Sequence, residues 1–282
     1  MKPAPFDLHR PTGLEEALTL LALHAETAKV IAGGQSLVPL MNLRMATPAI
    51  LIDLGRIECL RGIALEGDRL VLGATLRQAQ LLRDPLIAAH APLLRAAARH
   101  IGHVQTRSRG TLGGSVAHAD PAAELPVALI ALDAMLTLRS GRGTRQLRAR
   151  NFFEGALQTA LAPDEILCSI SVACAPAGTR AAFREMARRQ GDFAFAAAAV
   201  QRDGRTGAVA AAIGGVLPAP HLCTGLEAAM AAGFDRPRIE AAMIAELTAL
   251  GPMTDIYASG AYRARLAAIL LAEALEEVLA HG

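Results

Sequence analysis

Val30-Ile31-Ala32-Gly33-Gly34-Gln35-Ser36 is an apolar run that ends on a glycine pair and two polar residues, and Leu37 to Arg44 behind it reads as a short helix. The order predicts a buried strand from Ala28, a tight turn and a helix. Such a turn gathers backbone N–H groups around an anion, because glycine permits close approach and the following helix start adds a favourable dipole. Thr111-Leu112-Gly113-Gly114-Ser115 repeats the arrangement downstream. Two such segments can grip a dinucleotide diphosphate from opposite sides.

Other phosphate and nucleophile motifs fail on these stretches. No G-x-G-x-x-G opens either segment and no G-x-x-x-x-G-K-[ST] occurs. Gly113-Gly114-Ser115-Val116-Ala117 comes within one residue of a nucleophile elbow, but it ends on alanine, and His118 and Asp120 follow too closely for a triad. His100, His103 and His118 lack the spacing of a zinc helix. Cys59, Cys168, Cys174 and Cys223 form no C-x-x-C pair and read as reduced thiols, so neither a metal nor an Fe–S cluster is expected on this chain.

Working outward, a helix begins at Leu14 behind Thr12 or Gly13, with Glu15 and Glu16 in its first turn. Ala49 to Leu54 and Arg69 to Ala74 read as strands, Thr75 to Leu82 and Pro85 to Ala98 as helices, and Gly102 to Gly110 as a polar loop. A helix is expected around Ala122 to Ala131, strands at Met135 to Arg139 and Ile166 to Val172, and a loop or short helix at Asn151 to Glu154. Beyond a candidate boundary at Ala173 to Gly178 come strands at Ala181–Met186, Ala194–Gln201 and Ala208–Ile213, then helices at Thr224–Ala232, Arg236–Leu250 and Gly260–Ala280.

With 282 residues, 52% of them hydrophobic, the chain can bury a large core. A net charge of +2 and an aromatic content of 3% speak against nucleic-acid binding. No signal peptide or membrane span is read, so the expected location is cytoplasmic.

Three stretches resemble the FAD-binding subunit of molybdenum hydroxylases, the family of carbon monoxide dehydrogenase medium subunits and xanthine dehydrogenase FAD domains. They are Ala32 to Met41, Gly110 to Pro121 (GTLGGSVAHADP) and Phe183 to Phe193 (FREMARRQGDF). Pro3 to Leu18 and Pro163 to Ile170 also match, so the resemblance spans essentially the whole chain. It implies an α+β fold: a two-subdomain FAD-binding domain of the vanillyl-alcohol oxidase (PCMH) type plus a smaller C-terminal α+β domain. The implied division is 1–175, with subdomains of about 1–56 and 57–175, and 176–282.

The resemblance also implies site residues. Ala32, Gly33, Gly34, Gln35, Ser36 and Leu37 are expected to hold the FAD diphosphate from one side. Thr111, Gly113, Gly114 and Ser115 are expected on the other, with Ala117 and His118 in the same segment. Ile101 is expected against the flavin ring, Asp120 and Glu124 along the cofactor's polar chain, and Leu167 near the adenine. Arg184 is expected close to the flavin, where its charge would favour a reduced anionic form, with Asp192 and Phe193 bordering the isoalloxazine. Read from the residues alone, Asp120 and Glu124 are equally acids at a helix start, Arg184 a surface strand residue, and Ile101 and Leu167 core. Phe193 replaces a tyrosine of relatives, and Ser108 an asparagine.

The family scheme places molybdopterin on a large subunit and two [2Fe–2S] clusters on a small one. The chain is then expected to pass electrons from those clusters through FAD to a quinone, NAD or another acceptor, inside a heterotrimer usually doubled to an (LMS)2 heterohexamer. The alternative is a stand-alone FAD oxidase or dehydrogenase of the vanillyl-alcohol oxidase type. Relatives with an added [4Fe–4S] insertion, as in hydroxybenzoyl-CoA reductase, do not match the cysteine spacing.

Overall fold

The computed structural model describes residues 2–24 and 26–280. The N-terminal unit alternates β1 (Asp7–His9), α1 (Leu14–His24), β2 (Ala28–Ile31), α2 (Leu37–Asn42) and β3 (Ile50–Asp53). Its sheet is parallel, in the order β1-β3-β2. Gly13 stands at the start of α1, its carbonyl accepting from Ala17 at 3.2 Å. The α1 residues Ala17, Leu18 and Leu21 cover β3 through Ile52, while Ile166 and Cys168 of the next unit complete this small core.

The second unit runs β4 (Ile63–Glu66), β5 (Arg69–Gly73), α3 (Gln78–Arg83), α4 (Pro85–His90), α5 (Pro92–Ala98), α6 (Val104–Arg109), α7 (Leu112–His118) and α8 (Glu124–Ala131). It continues with β6 (Met135–Ser140), β7 (Gly143–Arg148), β8 (Phe153–Gly155), β9 (Gln158–Thr159) and β10 (Ile166–Ala173). An antiparallel five-stranded sheet forms in the order β4-β5-β10-β6-β7, with β8 and β9 as a separate ribbon.

Three expectations need correction here. The helix read over Pro85–Ala98 is two helices, because Pro92 offers no N–H to the carbonyl of Ala88 and drives Ala91 to φ −140°, ψ 57°. The loop read over Gly102–Gly110 contains α6, whose turn is gathered by Arg107 donating to the carbonyls of Ile101 at 2.5 Å and Gly102 at 3.0 Å. Gly113, Gly114 and Ser115 lie inside α7, not in a loop leading to a helix. Strands β1, β4, β7, β8 and β9 have no counterpart in the pattern of the sequence, since they are short or largely exposed.

The C-terminal unit comprises β11 (Arg180–Met186), β12 (Ala196–Arg202), β13 (Val209–Gly214), β14 (His221–Leu222), α9 (Leu226–Met230), α10 (Arg236–Ala249) and α11 (Gly260–Leu279). Its antiparallel sheet, β11-β12-β13-β14, is covered on both faces. Strand period two puts Ala197 and Ala199 into the core shared with α5 and α8, and Ala196, Ala198 and Val200 into the core against α11. Alanine is the side chain that lets helices approach one strand from both sides. Among the described residues no helix is long and apolar enough to cross a membrane.

An Ala198→Leu change inserts a branched side chain between β12 and α11, at a position with no exposed surface. A loss of about 1–3 kcal/mol is expected, read as a lower urea midpoint at an unchanged m-value. An unaltered midpoint would refute the two-faced packing.

Candidate FAD site

The first glycine turn and the start of α7 face each other across one cavity of about 370 Å³, with Ala32 to Leu37 on one wall and Gly110, Thr111, Gly113 and Gly114 on the other. Ala117 and His118 of α7 extend the second wall, and Leu161, Glu165, Ile166 and Leu167 also line the cavity. The cavity lies between the two N-terminal units.

Gly33 and Gly34 are required for different reasons. A Cβ on Gly33 would stand 2.3 Å from the carbonyl oxygen of Arg109, so the chains of the two units touch backbone to backbone. Gly34 has φ +72°, a left-handed conformation that a side chain resists. Among the described residues, the N–H groups of Gly33, Gly34, Gln35 and Ser36 donate to no protein acceptor. The Gln35 side chain turns back to the Gly33 carbonyl at 3.3 Å. The turn therefore presents a row of unengaged donors beside the cavity.

The second segment is built otherwise. Leu112 N–H donates to Leu76 O at 2.9 Å, Gly113 N–H to Ala74 O at 2.8 Å, and Gly114 N–H to the Thr111 hydroxyl at 3.1 Å. Its first amides are engaged within the protein. Gly113 is small because a Cβ there would lie 2.5 Å from Ala74 Cβ. This wall supplies the Thr111 hydroxyl and a surface that approaches closely at Gly114.

Four cavity residues carry no signal in the sequence. Lys29 and Thr75 line the cavity from β2 and from the end of β5. Leu157 lines it at φ +58°, held there by its N–H to Ala119 O at 2.9 Å, a strained backbone of the kind found at functional sites. Glu165 is buried and clasped by Arg145 at 2.6 Å and 2.7 Å; that hydrogen bonding holds its carboxyl below the usual carboxylate range.

Ile101, Ser115, Asp120, Glu124, Arg184, Asp192 and Phe193 lie outside the cavity lining. Ile101 is buried in the main core, beside the segment that carries His100 and His103. Asp120 accepts from Ala122 N–H at 2.9 Å. Arg184 is half exposed and pairs with Glu277 of α11 at 2.6 Å. Strand parity explains this: Phe183 and Glu185 point to the FAD-binding side, and Arg184 to the opposite face. On that side Phe183 packs on His100, ring centroids 5.2 Å apart, and Glu185 meets His100 Nδ1 at 3.4 Å. Asp192 and Phe193 are exposed, Phe193 to 74%.

Glu124, at the first position of α8, has its carboxyl pushed up to about 8. Burial is the main cause, seconded by the nearby carboxylates of Glu185 and Asp120 and opposed by Arg107. Glu185 itself is mostly buried and keeps one oxygen without a partner.

Residues 4–173 match the family model described as the FAD binding domain in molybdopterin dehydrogenase, and residues 181–278 match the CO dehydrogenase flavoprotein C-terminal domain. The chain belongs to this flavoprotein family. It is 37% identical to the 6-hydroxypseudooxynicotine dehydrogenase complex subunit alpha of Paenarthrobacter nicotinovorans, over 99% of this chain and 96% of that one. It is 34% identical to the carbon monoxide dehydrogenase medium chain of Afipia carboxidovorans, over 100% and 99%. Among solved structures it superposes on carbon monoxide dehydrogenase from Hydrogenophaga pseudoflava with a TM-score of 0.94 at 36% identity, covering 99% of each chain. Quinoline 2-oxidoreductase from Pseudomonas putida 86 gives 0.88 at 33%, also over 99% of each.

FAD is thus the cofactor of an oxidoreductase subunit, and the cavity suits it. The unengaged amides of residues 33–36 match a diphosphate, and the aliphatic side chains of the lining offer apolar surface to planar rings. Gly33→Ala is expected to weaken FAD binding about tenfold or more, because the wall must move away from Arg109. Flavin fluorescence on titrating the apoprotein measures this, and wild-type affinity would refute it.

Glu124 predicts a pH effect. Its folded-state carboxyl titrates near 8 against 4.5 for an ordinary glutamate, so its contribution is full below about pH 4.5 and is lost as pH rises through 8. Between pH 6 and 9 the flavoprotein should lose urea resistance relative to Glu124→Gln. An equal gap between the two proteins at both pH values would show that the carboxyl is not so enclosed.

Proposed function

We propose that the chain is the electron-exit subunit of a heteromeric molybdenum hydroxylase, accepting electrons from [2Fe–2S] clusters of a small partner subunit and passing them to an external acceptor. The observation that carries the reading is the single cavity flanked by both glycine segments, with free amides along one wall. Full-length likeness to medium chains and subunits of dehydrogenase complexes supports the assembly.

In this reading Ala32 to Leu37 hold the diphosphate through backbone N–H groups, with Thr111 and Gly114 opposite. His118 and Ala117 border the polar chain, and Leu167 the adenine end. Asp120 and Glu124 follow along the polar chain, and Ile101, Asp192 and Phe193 border the ring end, where the C-terminal unit meets α5 and the turn ahead of α6. When bound, FAD supplies a carrier that joins one-electron donors to a two-electron acceptor. The chain's residues bind it, orient it and shield part of it from water. Arg184 acts on the ring only at long range, since Glu277 offsets its charge.

We divide the chain at residues 1–175 and 176–282, in keeping with sheets confined to 7–173 and 180–222. Molybdopterin sits on a large partner subunit, the complex is an (LMS)2 heterohexamer, and its location is cytoplasmic. Relatives named for carbon monoxide, caffeine and 6-hydroxypseudooxynicotine resemble this chain alike, which supports a reading in which the molybdenum subunit chooses the substrate.

Tagged chain expressed with its neighbouring genes is expected to co-purify with molybdenum, iron and FAD. Substrate oxidation by that complex should bleach the flavin bands. A yellow chain that oxidises a small substrate alone, with no metal, would overturn the proposal in favour of a stand-alone oxidase.

A further inference from the structure

Arg263 projects from the first turn of α11 into the protein and is 6% exposed. Its Nη1 donates to the carbonyls of Phe195 at 2.9 Å and Gly215 at 2.8 Å, and its Nη2 to Asp255 Oδ2 at 2.6 Å. The guanidinium lies 5.6 Å from the centre of the Phe195 ring, and Nε is buried without a partner among the described residues. Burying an arginine carries a desolvation cost that one ion pair does not fully offset, and the orphaned Nε adds to it. An apolar side chain would serve stability at least as well. The guanidinium does something an apolar chain cannot: it ties two carbonyls from separate turns to one point.

Both turns are crossing points between the C-terminal unit and the FAD-binding units. Gly215 N–H donates to Pro121 O at 2.8 Å, and a Cβ on Gly214 would stand 2.3 Å from Val127 of α8. Phe195 N–H donates to Met186 O at 2.7 Å, closing residues 187–194 into a loop. At the tip of that loop Gly191, at φ +85°, abuts the 102–103 turn, where a Cβ would stand 2.8 Å from His103 Cε1. The first limb of the loop is braced as well, with Arg188 4.5 Å over the ring of Tyr257. Asp255 is itself fixed by accepting from the N–H groups of Tyr257 and Ala258 at 2.8 Å and 2.9 Å. Phe193 stands exposed on a loop pinned on either side of it.

We propose that Arg263 is a positioning residue: with Asp255 it holds the 187–195 loop, and so Asp192 and Phe193, at the ring end of the FAD site. The proposal rests on the placement of that loop beside the cofactor given under Proposed function. Arg263 acts through Phe195 and Gly215 and touches neither cofactor nor acceptor.

The test uses the full-length flavoprotein and its Arg263→Leu, Arg263→Lys and Arg263→Leu/Asp255→Leu variants. In the leucine variant, trypsin cleavage after Arg188 or Arg189 in the FAD-loaded protein should accelerate about tenfold or more, and the FAD dissociation constant should rise about tenfold. Lysine keeps the charge but lacks the planar fork, so it should not rescue either readout. The double leucine variant also removes the acceptor of the Tyr257 and Ala258 N–H groups, so it should regain neither loop protection nor FAD affinity. Combined with Phe193→Gly, the loss of affinity should be less than additive, because both changes act through one loop. Wild-type FAD affinity and cleavage rate in a folded leucine variant would overturn the proposal, as would recovery of FAD affinity in the double variant. Failure of the wild-type chain itself to bind FAD would instead remove the reading of the cavity.

Discussion

The carbonyl of Arg109 occupies the place where a side chain on Gly33 would begin. Everything around the candidate site depends on that contact. Residues 109–111 thread between the first glycine turn and the strand-to-helix turn ahead of α3: Arg77 donates to the Arg109 carbonyl, and Gln78 N–H donates to Gly110 O at 2.9 Å. Arg77 also forms an isolated bridge with Thr111. The parallel and antiparallel units are thus joined through main chain at the cavity wall. Side-chain packing alone leaves a soft seam between units, whereas main-chain contact at van der Waals distance leaves few degrees of freedom. The width of the cavity is then set by backbone geometry.

The same economy of side chains governs the C-terminal unit. Strand β12 is buried on both faces because its centre is alanine, and each face belongs to a different core. One face continues the core of the FAD-binding units through Phe183, Ala197 and Ala199. The C-terminal unit is therefore not an appendage on a linker. Its sheet forms part of the floor on which α5 and α8 rest, so the loop after β11 has a fixed origin relative to the His100–His103 segment.

The legible parts of the fold were those with strong local periodicity or a resemblance to lean on. The strands at Ala28, Ile50 and Ile166 carry continuous apolar runs, α11 a wide apolar face and α10 a line of Ile239, Met243 and Leu247 at helical spacing, and they form within a few residues of where the pattern puts them. Helix α6 was invisible because Gln105 to Arg109 is uniformly polar and its apolar face is absent. The break at Pro92 was legible in principle, since proline excludes Ala91 from the helical region, but the alanine-rich flanks masked it. At the site, the glycine pairs were visible and some of the other lining residues were not. Leu157 and Glu165 reach the cavity through tertiary structure alone, one through a strained turn and the other through a buried pair with Arg145.

The two glycine pairs look alike in the sequence and differ in what they do. At Gly33-Gly34 the turn leaves four successive amides, residues 33–36, without protein partners among the described residues, so they are open to an acceptor from outside the chain. At Gly113-Gly114 the amides are already bonded to Ala74 and Thr111, and the absent Cβ of Gly113 serves close packing on β5. A motif read as two equivalent grips is therefore one grip and one rigid wall. The asymmetry has a physical use. Concentrating the free donors on one wall, and bonding the other to β5, lets the cavity persist in one geometry with only the first turn awaiting its acceptor.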